Sequence, residues 1–337
     1  MKKSIKNLLS ILALLVFATQ GKTQDVHFSQ FYETPLFRNP ALAGIVNGDY
    51  RAQAVYRSQW NSVVKAYKTV SANVEYKMPI GNGDNFATIG LQTYFDQAGT
   101  SNLNTTQILP ALNFHKLISN TRNTYLSLGF MGGMVQRKFD RSKVTTNNTF
   151  DNGSDGEPIV NSGYRYFDGS VGMSFNTEVG QKDNKIILGV AYHHFNRPAS
   201  TFFINSGIEL DPKLVITGDM KFELEELRTL TFHADHVMQG SSTETTAGLL
   251  YSMKFGPDYD KPDYSIAAGG FIRWNDALIP TVQVGTGSIT IGLSYDVNIS
   301  KLGKTSYGNG GFELSLTHIG FTNRDNSSLN AMRCPTF

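Results

Sequence analysis

The sequence predicts an all-β protein, a transmembrane antiparallel β-barrel of about 14 strands with a short N-terminal plug segment. Three observations support this prediction. Long stretches alternate between apolar and polar residues, the connections between them alternate between long and short, and an apolar, phenylalanine-rich segment follows a stretch typical of an export signal. We assign residues 1–23 to a signal peptide, 24–48 to the plug segment and 49–337 to the barrel.

The composition suits an exported β protein. Charged residues make up 17% of the chain, below the roughly one quarter usual in soluble proteins, and aromatic residues make up 12%. A formal net charge of +2 gives no basis for nucleic-acid binding. Cys334 is the single cysteine, which excludes an intrachain disulfide and a cysteine metal cluster, and we predict no cofactor.

The chain starts with Lys2, Lys3 and Lys6 ahead of an apolar run from Leu8 to Ala18. A helix needs about 20 residues to span a bilayer, so this run is too short and is typical of a cleaved signal peptide. An uncleaved anchor is the alternative. No later segment has 18 consecutive apolar residues, so the sequence predicts no transmembrane helix.

The plug segment contains the stretch FSQFYETPLFRNPALAG, from Phe28 to Gly44. Asn39 suits a helix N-cap, Pro40 the first helical position and Gly44 the end of the turn. Because an exposed apolar patch is a liability, we expect the segment to pack inside or against the periplasmic mouth of the barrel. A tail that only packs on the first strand is the alternative. The predicted plug or docking residues are Phe28, Ser29, Gln30, Phe31, Asn39, Pro40 and Ala41.

The barrel strands are predicted from alternation. Phe86–Asp96, Ser288–Ile299 and Phe312–Phe321 each place apolar residues on one face and polar residues on the other. Ordinary strands have about five or six residues, whereas membrane-spanning strands need about 9–11, and many of these stretches reach ten. We predict strands beginning near Arg51, Ala66, Asn85, Leu103, Thr124, Tyr164, Lys185, Lys213, Leu227, Thr243, Tyr264, Leu278, Ser288 and Phe312.

The connections between the strands give an independent check. If both chain ends are periplasmic, the odd-numbered connections face outward and are the longer ones. The long irregular stretches 141–162, 196–212 and 299–311 fall on odd connections, although the odd connections near Asn61 and Asp276 are short. Even connections such as 79–84 and 177–183 are short turns rich in glycine, asparagine and aspartate.

Two prolines interrupt the pattern. Pro110 and Pro280 lie inside predicted strands, where a proline removes a hydrogen-bond donor and marks a bulge, an edge or a strand start. The strand boundaries around 107–116 and 278–283 are therefore the least well defined by the sequence.

The polar faces of the strands are predicted to line the lumen. They carry charges of both signs, and the sequence leaves open whether the lumen is water-filled, crossed by ion pairs or packed on a plug. The predicted lumen charges are Arg51, Arg57, Asp219, Lys221, Glu223, His233, Asp235, Arg273, Asp296 and Glu313.

Few residues suggest catalysis or metal binding. On a strand, His193 and His194 point to opposite faces and cannot readily bind one ion. His233 and Asp235 share a face, but no serine nucleophile is placed near them, so an enzyme is a minor alternative. The stretch 151–157, DNGSDGE, lacks the ligand spacing of an EF-hand. We predict no catalytic residue and no metal site.

Both ends of the chain resemble a known family. DVHFSQFYETPLFRNPALAG (Asp25 to Gly44) and YRAQAVYRSQW (Tyr50 to Trp60) are similar to the start of the PorP/SprF family, outer-membrane proteins of the type IX secretion system of Bacteroidota. GGFELSLTH (Gly310 to His318) and the terminal CPTF are similar to its end, except that the family more often has arginine where this chain has Thr336.

The resemblance implies a non-enzymatic outer-membrane barrel that works with the type IX machinery in secretion or surface attachment of cargo. The implied partners are outer-membrane lipids, the periplasmic ring lipoprotein and its partner, and cargo with a C-terminal sorting domain, such as gliding adhesins. Asn39, Pro40 and Ala41 also resemble the NPA motif of FadL-type channels. A FadL-like transporter of small hydrophobic compounds is therefore the alternative function.

Overall fold

The computed structural model describes residues 25–59, 67–81, 84–144, 161–180, 184–203, 207–256, 263–300 and 309–322. Within them, fourteen strands form one closed antiparallel barrel, in which each strand pairs with its sequence neighbours and the last pairs with the first. The strands are β1 (Tyr50–Gln59), β2 (Tyr67–Ile80), β3 (Asn85–Ala98), β4 (Leu103–Ser119), β5 (Thr124–Lys138), β6 (Gly163–Glu178), β7 (Lys185–His193), β8 (Lys213–Glu225), β9 (Arg228–Gln239), β10 (Ser242–Phe255), β11 (Tyr264–Arg273), β12 (Ala277–Thr286), β13 (Ile289–Asn298) and β14 (Asn309–Gly320).

The predicted strands are confirmed. Each predicted start lies within one residue of the observed start, except for β14, which begins at Asn309 rather than near Phe312. Strand lengths range from 9 residues in β7 to 17 in β4, long enough to cross the apolar part of a membrane. No helix in the described ranges is long and apolar enough to cross a membrane.

Alternation decides which side chains face outward. In β13, Ile291 and Leu293 are exposed on the outer face, whereas Ser294 and Asp296 are buried inside. The same period of two runs through the other strands, so that the outer face is apolar and the inner face polar. This is the pattern expected of a barrel whose outer surface contacts lipid.

Both prolines lie within strands and keep one of their two pairings. Pro110 lies opposite Leu91 of β3, while the pairing of β4 with β5 skips residues 109–110. Pro280 lies opposite Gly270 of β11, while the pairing of β12 with β13 skips residues 279–280. The missing proline N–H therefore disturbs the ladder on one side only, as the sequence led us to expect.

The two mouths of the barrel differ. We call the mouth with the β1–β2, β3–β4 and later odd connections the odd end, and the opposite mouth the even end. The odd end carries the long connections 139–162, 194–212 and 299–308, and the even end carries short turns such as β8–β9 and β12–β13. Residues 1–24, 145–160 and 323–337, which include the predicted signal peptide, the DNGSDGE stretch and Cys334, lie outside the described residues.

The N-terminal segment (residues 25–48) lies inside the barrel and runs along it. It forms three short turns, Phe31–Glu33, Pro35–Arg38 and Pro40–Leu42, rather than the one predicted turn. The turn that was predicted is present. The Asn39 side chain accepts a hydrogen bond from the Ala41 N–H at 2.8 Å, and Gly44 has a φ of +78°, which favours glycine.

The course of the segment is fixed by its contacts. Asp25 contacts Lys213, the first residue of β8, and Gln239, the last residue of β9, both at the odd end. The Val46 carbonyl accepts a hydrogen bond from Lys77, near the even end of β2. The segment therefore spans the lumen from the odd end to the even end, beyond the single mouth that the sequence suggested.

Candidate functional site

The N-terminal segment and the inner wall around it form the candidate functional site. The segment touches every strand of the barrel through hydrogen bonds, ion pairs or apolar packing. All seven predicted plug residues are buried. The predicted lumen charges are buried too, except Lys221 and Glu223, which are half-buried toward the even end of β8.

The first anchor holds Ser29 and Gln30. The backbone N–H groups of these two residues donate to the two carboxylate oxygens of Glu313, at 2.6 and 2.7 Å. The Ser29 hydroxyl donates to Asp296 and accepts hydrogen bonds from Arg57 at 2.6 Å and Arg273 at 2.7 Å. Each contact has a charged partner, and such hydrogen bonds are about twice as strong as neutral ones.

The charges of this anchor balance. Arg57 forms ion pairs with Asp296 at 2.8 Å and with Glu313, and Arg273 forms one with Asp296 at 3.2 Å. Two guanidinium groups therefore face two carboxylates in a site where all four side chains are almost fully buried. Burying charges is costly unless they are paired in this way, so each member depends on the others.

The second anchor is Arg38, which lies between two carboxylates of the barrel wall. Its guanidinium donates to both oxygens of Asp219, at 3.0 and 2.9 Å, and to both oxygens of Asp235, at 2.7–3.1 Å. It also lies 5.0 Å from the centre of the Phe31 ring. A planar guanidinium suits this double fork, which a lysine could not reproduce.

His233 belongs to the second anchor. Its Nδ1 is 2.8 Å from Asp219, and the Tyr32 ring is stacked on its imidazole with 4.7 Å between the ring centres. The prediction that His233 and Asp235 share a face is confirmed, but the direct partner of His233 is Asp219, one strand away. The histidine is thus a packed member of the anchor.

The third anchor holds the turn at Asn39–Gly44. The Asn39 amide donates to the carbonyls of Met173 and Val190, and Asn113 donates to those of Ala41 and Ala43. Wall carbonyls and side chains thereby satisfy the polar groups of a backbone that is buried in the lumen. A buried segment without such partners would cost roughly 1–3 kcal/mol for each unsatisfied group.

The wall is shaped to receive this turn. A Cβ atom added at Gly129 would lie 2.3 Å from the backbone carbon of Pro40, and one added at Gly172 would lie 1.9 Å from the Asn39 side-chain oxygen. Glycine at these two wall positions therefore leaves the room that the segment occupies. At the end of the turn, the Gly44 N–H donates to Glu75 at 2.8 Å, and Glu75 also pairs with Arg51.

A fourth set of contacts holds the start of the segment at the odd end. The Asp25 carboxylate is 2.7 Å from both Lys213 Nζ and His194 Nε2, and His194 Nδ1 is 2.9 Å from Asp168. We call these four residues the latch. Burial disfavours the charged imidazole, but Asp25 and Asp168 outweigh burial and raise the pKa of His194 to about 9.

The sequence interpretation of His193 and His194 was wrong. The two side chains do not point to opposite faces, because β7 ends at His193 and His194 takes a left-handed conformation with a φ of +56°. Both rings are buried, with 6.3 Å between their centres. The described residues contain no group of three or more histidine, cysteine, aspartate or glutamate side chains placed to hold a metal ion.

Several site residues were missed from the sequence. Glu75, Asp168 and Lys213 lie on the inward face of their strands, so the alternation that identified the other lumen charges also applies to them. Arg38 and Asp25 lie in the apolar N-terminal stretch, where no period shows which side chains meet the wall. Their partners are known only from the structure.

Comparison with solved structures finds other barrels. The translocator domain of the autotransporter NalP from Neisseria meningitidis is 14% identical, with a TM-score of 0.41 over 85% of this chain and 94% of that chain. A mutant of TodX, a monoaromatic hydrocarbon channel, is 10% identical, with a TM-score of 0.49 over 85% and 93%. CymD, another monoaromatic hydrocarbon channel, is 10% identical, with a TM-score of 0.47 over 89% and 96%. At these identities and TM-scores, no argument rests on the likeness.

No curated protein matches the chain. A family model does, and it is described as the type IX secretion system membrane protein PorP/SprF. It matches residues 20–318, which include the whole N-terminal segment and the barrel almost to the end of β14. The chain therefore belongs to the PorP/SprF family of type IX secretion system membrane proteins.

Proposed function

We propose that this protein is a non-enzymatic outer-membrane component of the type IX secretion system that supports secretion or surface attachment of cargo with a C-terminal sorting domain. One observation supports this role above the others. The N-terminal segment crosses the lumen from the odd end to the even end and contacts every strand of the wall. A barrel filled in this way acts through the surfaces at its two ends.

The two ends are suited to different partners. In this proposal the odd end faces the outside, because long connections are extracellular in bacterial barrels. That end holds the cargo, such as a gliding adhesin. The short turns of the even end face the periplasm and dock on the ring lipoprotein and its partner. The predicted signal peptide, residues 1–23, delivers the chain to the periplasm before insertion.

The packing of the histidines supports a non-enzymatic role. His233, the residue considered as a general base, is bonded to Asp219 and covered by Tyr32 within the second anchor. A general base needs a substrate proton within hydrogen-bond reach, and the anchor leaves no such approach to this imidazole. Its contacts hold the N-terminal segment in place.

A transporter of small hydrophobic compounds is the second candidate. A cavity beside the segment is lined partly by apolar residues such as Phe28, Phe31 and Phe37 and partly by charged residues such as Arg38 and Asp235. Its volume is about 80 Å³. An apolar cavity of roughly 150 Å³ accommodates one benzene molecule, so benzene does not fit this particular cavity unless the segment moves. This size and the charged anchors favour the secretion role.

Affinity purification of the tagged protein from outer membranes in mild detergent tests the proposal. We expect mass spectrometry to identify type IX ring proteins or a large surface protein with a C-terminal sorting domain. A tagged, unrelated outer-membrane barrel processed in parallel is the control. Recovery of the barrel alone, with fatty acid or another hydrophobic compound bound, would overturn the secretion role and favour the transporter.

A further inference from the structure

The lumen is not filled to its odd end. Beyond the N-terminal segment a cavity of about 410 Å³ remains, floored by Asp25, Val26 and His27 and walled by strands β1 to β6. This volume lies within the roughly 300–1,000 Å³ typical of small-molecule sites. The segment closes the bottom of the cavity, so a ligand enters and leaves by the odd end.

The wall of this cavity carries an ordered row of polar groups. The strand pairing places Thr69, Asp96, Thr105 and Arg137 side by side on four neighbouring strands. Adjacent strands are about 4.8 Å apart, so Asp96 and Arg137, two strands apart, are separated by about 10 Å along the wall. The structure shows no ion pair between these two described residues, and Thr105 lies between them.

Both charged members of the row have unused hydrogen-bonding capacity. The Thr69 hydroxyl donates to one Asp96 oxygen at 2.7 Å, and the other oxygen has no hydrogen bond within the described residues. The Nε of Arg137 is buried and has no partner among them either. A buried donor without a hydrogen-bond partner is unfavourable, because it has lost its water and gained nothing in return. A ligand in the cavity is positioned to supply that partner.

Aromatic side chains lie one row deeper. Two residues further along each strand, the pairing aligns Tyr94, Gln107 and Tyr166, which also line the cavity. Tyrosine offers an apolar ring face together with a polar hydroxyl. A ligand lying against this wall therefore meets tyrosine side chains below and hydrogen-bonding groups above.

We propose that this cavity binds a neutral saccharide. Asp25 is already held by the latch, so Asp96 and Arg137 leave the wall without net charge. A ligand of either charge would pair with one of them and be repelled by the other. A hydroxyl group both donates and accepts, so one polyhydroxyl ligand satisfies the carboxylate, the guanidinium and the threonines together. The C–H faces of a sugar ring pack on the tyrosines.

The closed floor argues against a polypeptide in the same place. A passing chain needs an exit, and its amide groups need partners on both sides, whereas the row of polar groups lies on one wall. The end of a saccharide chain needs neither. The saccharide belongs either to a surface polysaccharide or to a glycan of an exported protein, and both present the same hydroxyl chemistry. The site itself does not depend on the proposed secretion role.

Binding to an array of neutral oligosaccharides of one to four hexose or N-acetylhexosamine units tests the site. The purified protein is kept in a detergent without a sugar head group, such as lauryldimethylamine oxide. We expect wild-type protein to retain at least one of these probes. Arg137→Met and Tyr166→Leu should each weaken that binding about tenfold or more, because each removes a group that contacts the ligand.

Lys138→Met is the matched control, since Lys138 is the exposed neighbour of Arg137, and it should bind as wild type does. Far-ultraviolet circular dichroism checks that each variant retains the barrel, and Asp96→Asn replaces any variant that does not. Competition by free surface polysaccharide or by glycopeptides then identifies the source. Retention of no neutral saccharide, preference for acidic glycans, or binding unchanged in both Arg137→Met and Tyr166→Leu would overturn the proposal.

Discussion

At the scale of single residues, the position of the N-terminal segment depends on buried charges that are paired with one another. Arg38 donates to Asp219 and Asp235, and Glu313 accepts from two backbone N–H groups and from Arg57. In a polar lumen, these pairings fix the path of the N-terminal segment, whose sequence shows no regular alternation of apolar and polar residues. Removing a single partner leaves the other charges buried and unpaired, which strongly destabilises the folded protein.

Replacing Arg38 tests how much the removal of one buried charge destabilises the protein. Arg38→Met leaves two buried carboxylates facing each other, and we expect the free energy of unfolding to fall by about 3–5 kcal/mol. Arg228→Met is the control, because Arg228 pairs with Glu225 at the surface and such pairs are worth about 0–1 kcal/mol. Urea unfolding of the two variants in detergent micelles gives the comparison. Equal losses in the two would contradict the role of Arg38 as an anchor.

The latch predicts a dependence on pH. The pKa of His194 is raised from 6.5 to about 9, so its charged form stabilises the folded latch fully below pH 6.5. That contribution, about 3 kcal/mol, is lost as the pH rises through 9. Amide hydrogen exchange at residues 25–30 should therefore become faster between pH 7 and 10, and the increase should exceed the rise in the intrinsic exchange rate of an unprotected amide over the same range.

His194→Gln is the control for this prediction, because glutamine keeps hydrogen-bonding capacity but does not titrate. The variant should show only the intrinsic rise in exchange rate over the same range. If wild type and His194→Gln follow the same pH profile, the imidazolium is not what holds Asp25.

His194 is also the residue at which the strand pattern gave a wrong prediction. Alternation holds only while the strand continues, and the chain turns at this residue.

At the scale of elements, the strands and the N-terminal segment differ in how far the sequence defines them. Every strand start except that of β14 was predictable to within one residue, because membrane strands alternate over ten or more residues. The turn at Asn39 was predictable because its capping chemistry is local. The path of the segment was not, since contacts such as Arg38 with Asp219 join residues far apart in sequence. Such pairings depend on which wall positions face inward at the same height.

The glycine positions of the wall test the fit between these elements. Gly129→Ala places a methyl group against the Pro40 backbone, and overpacking of this kind costs about 1–3 kcal/mol. We expect the turn at Asn39–Gly44 to be displaced in Gly129→Ala. Limited proteolysis should then cleave residues 25–48 more readily in this variant. Gly218→Ala is the control, because its nearest neighbour, a Leu188 methyl, lies 4.0 Å away. Equal resistance of both variants to protease would show that the segment does not press on the wall.

At the scale of the whole molecule, the barrel is a closed wall around an anchored segment, with a cavity of about 410 Å³ toward the odd end. The family places such a barrel in the type IX secretion system. The proposed function assigns the contacts with partners to the surfaces at the two ends of the barrel. The polar strand faces carry charges of both signs, which suits ion pairs across the lumen or packing on a plug. The structure contains both in one network.

Conductance in planar lipid bilayers tests the central claim, that the N-terminal segment fills the lumen. Wild-type protein should give almost no ionic current, whereas Arg38→Met should show intermittent openings because its segment is held less firmly. An open trimeric porin reconstituted in the same way calibrates the current of an unobstructed barrel. A large, steady conductance from wild-type protein would contradict the account, because it would require an open lumen.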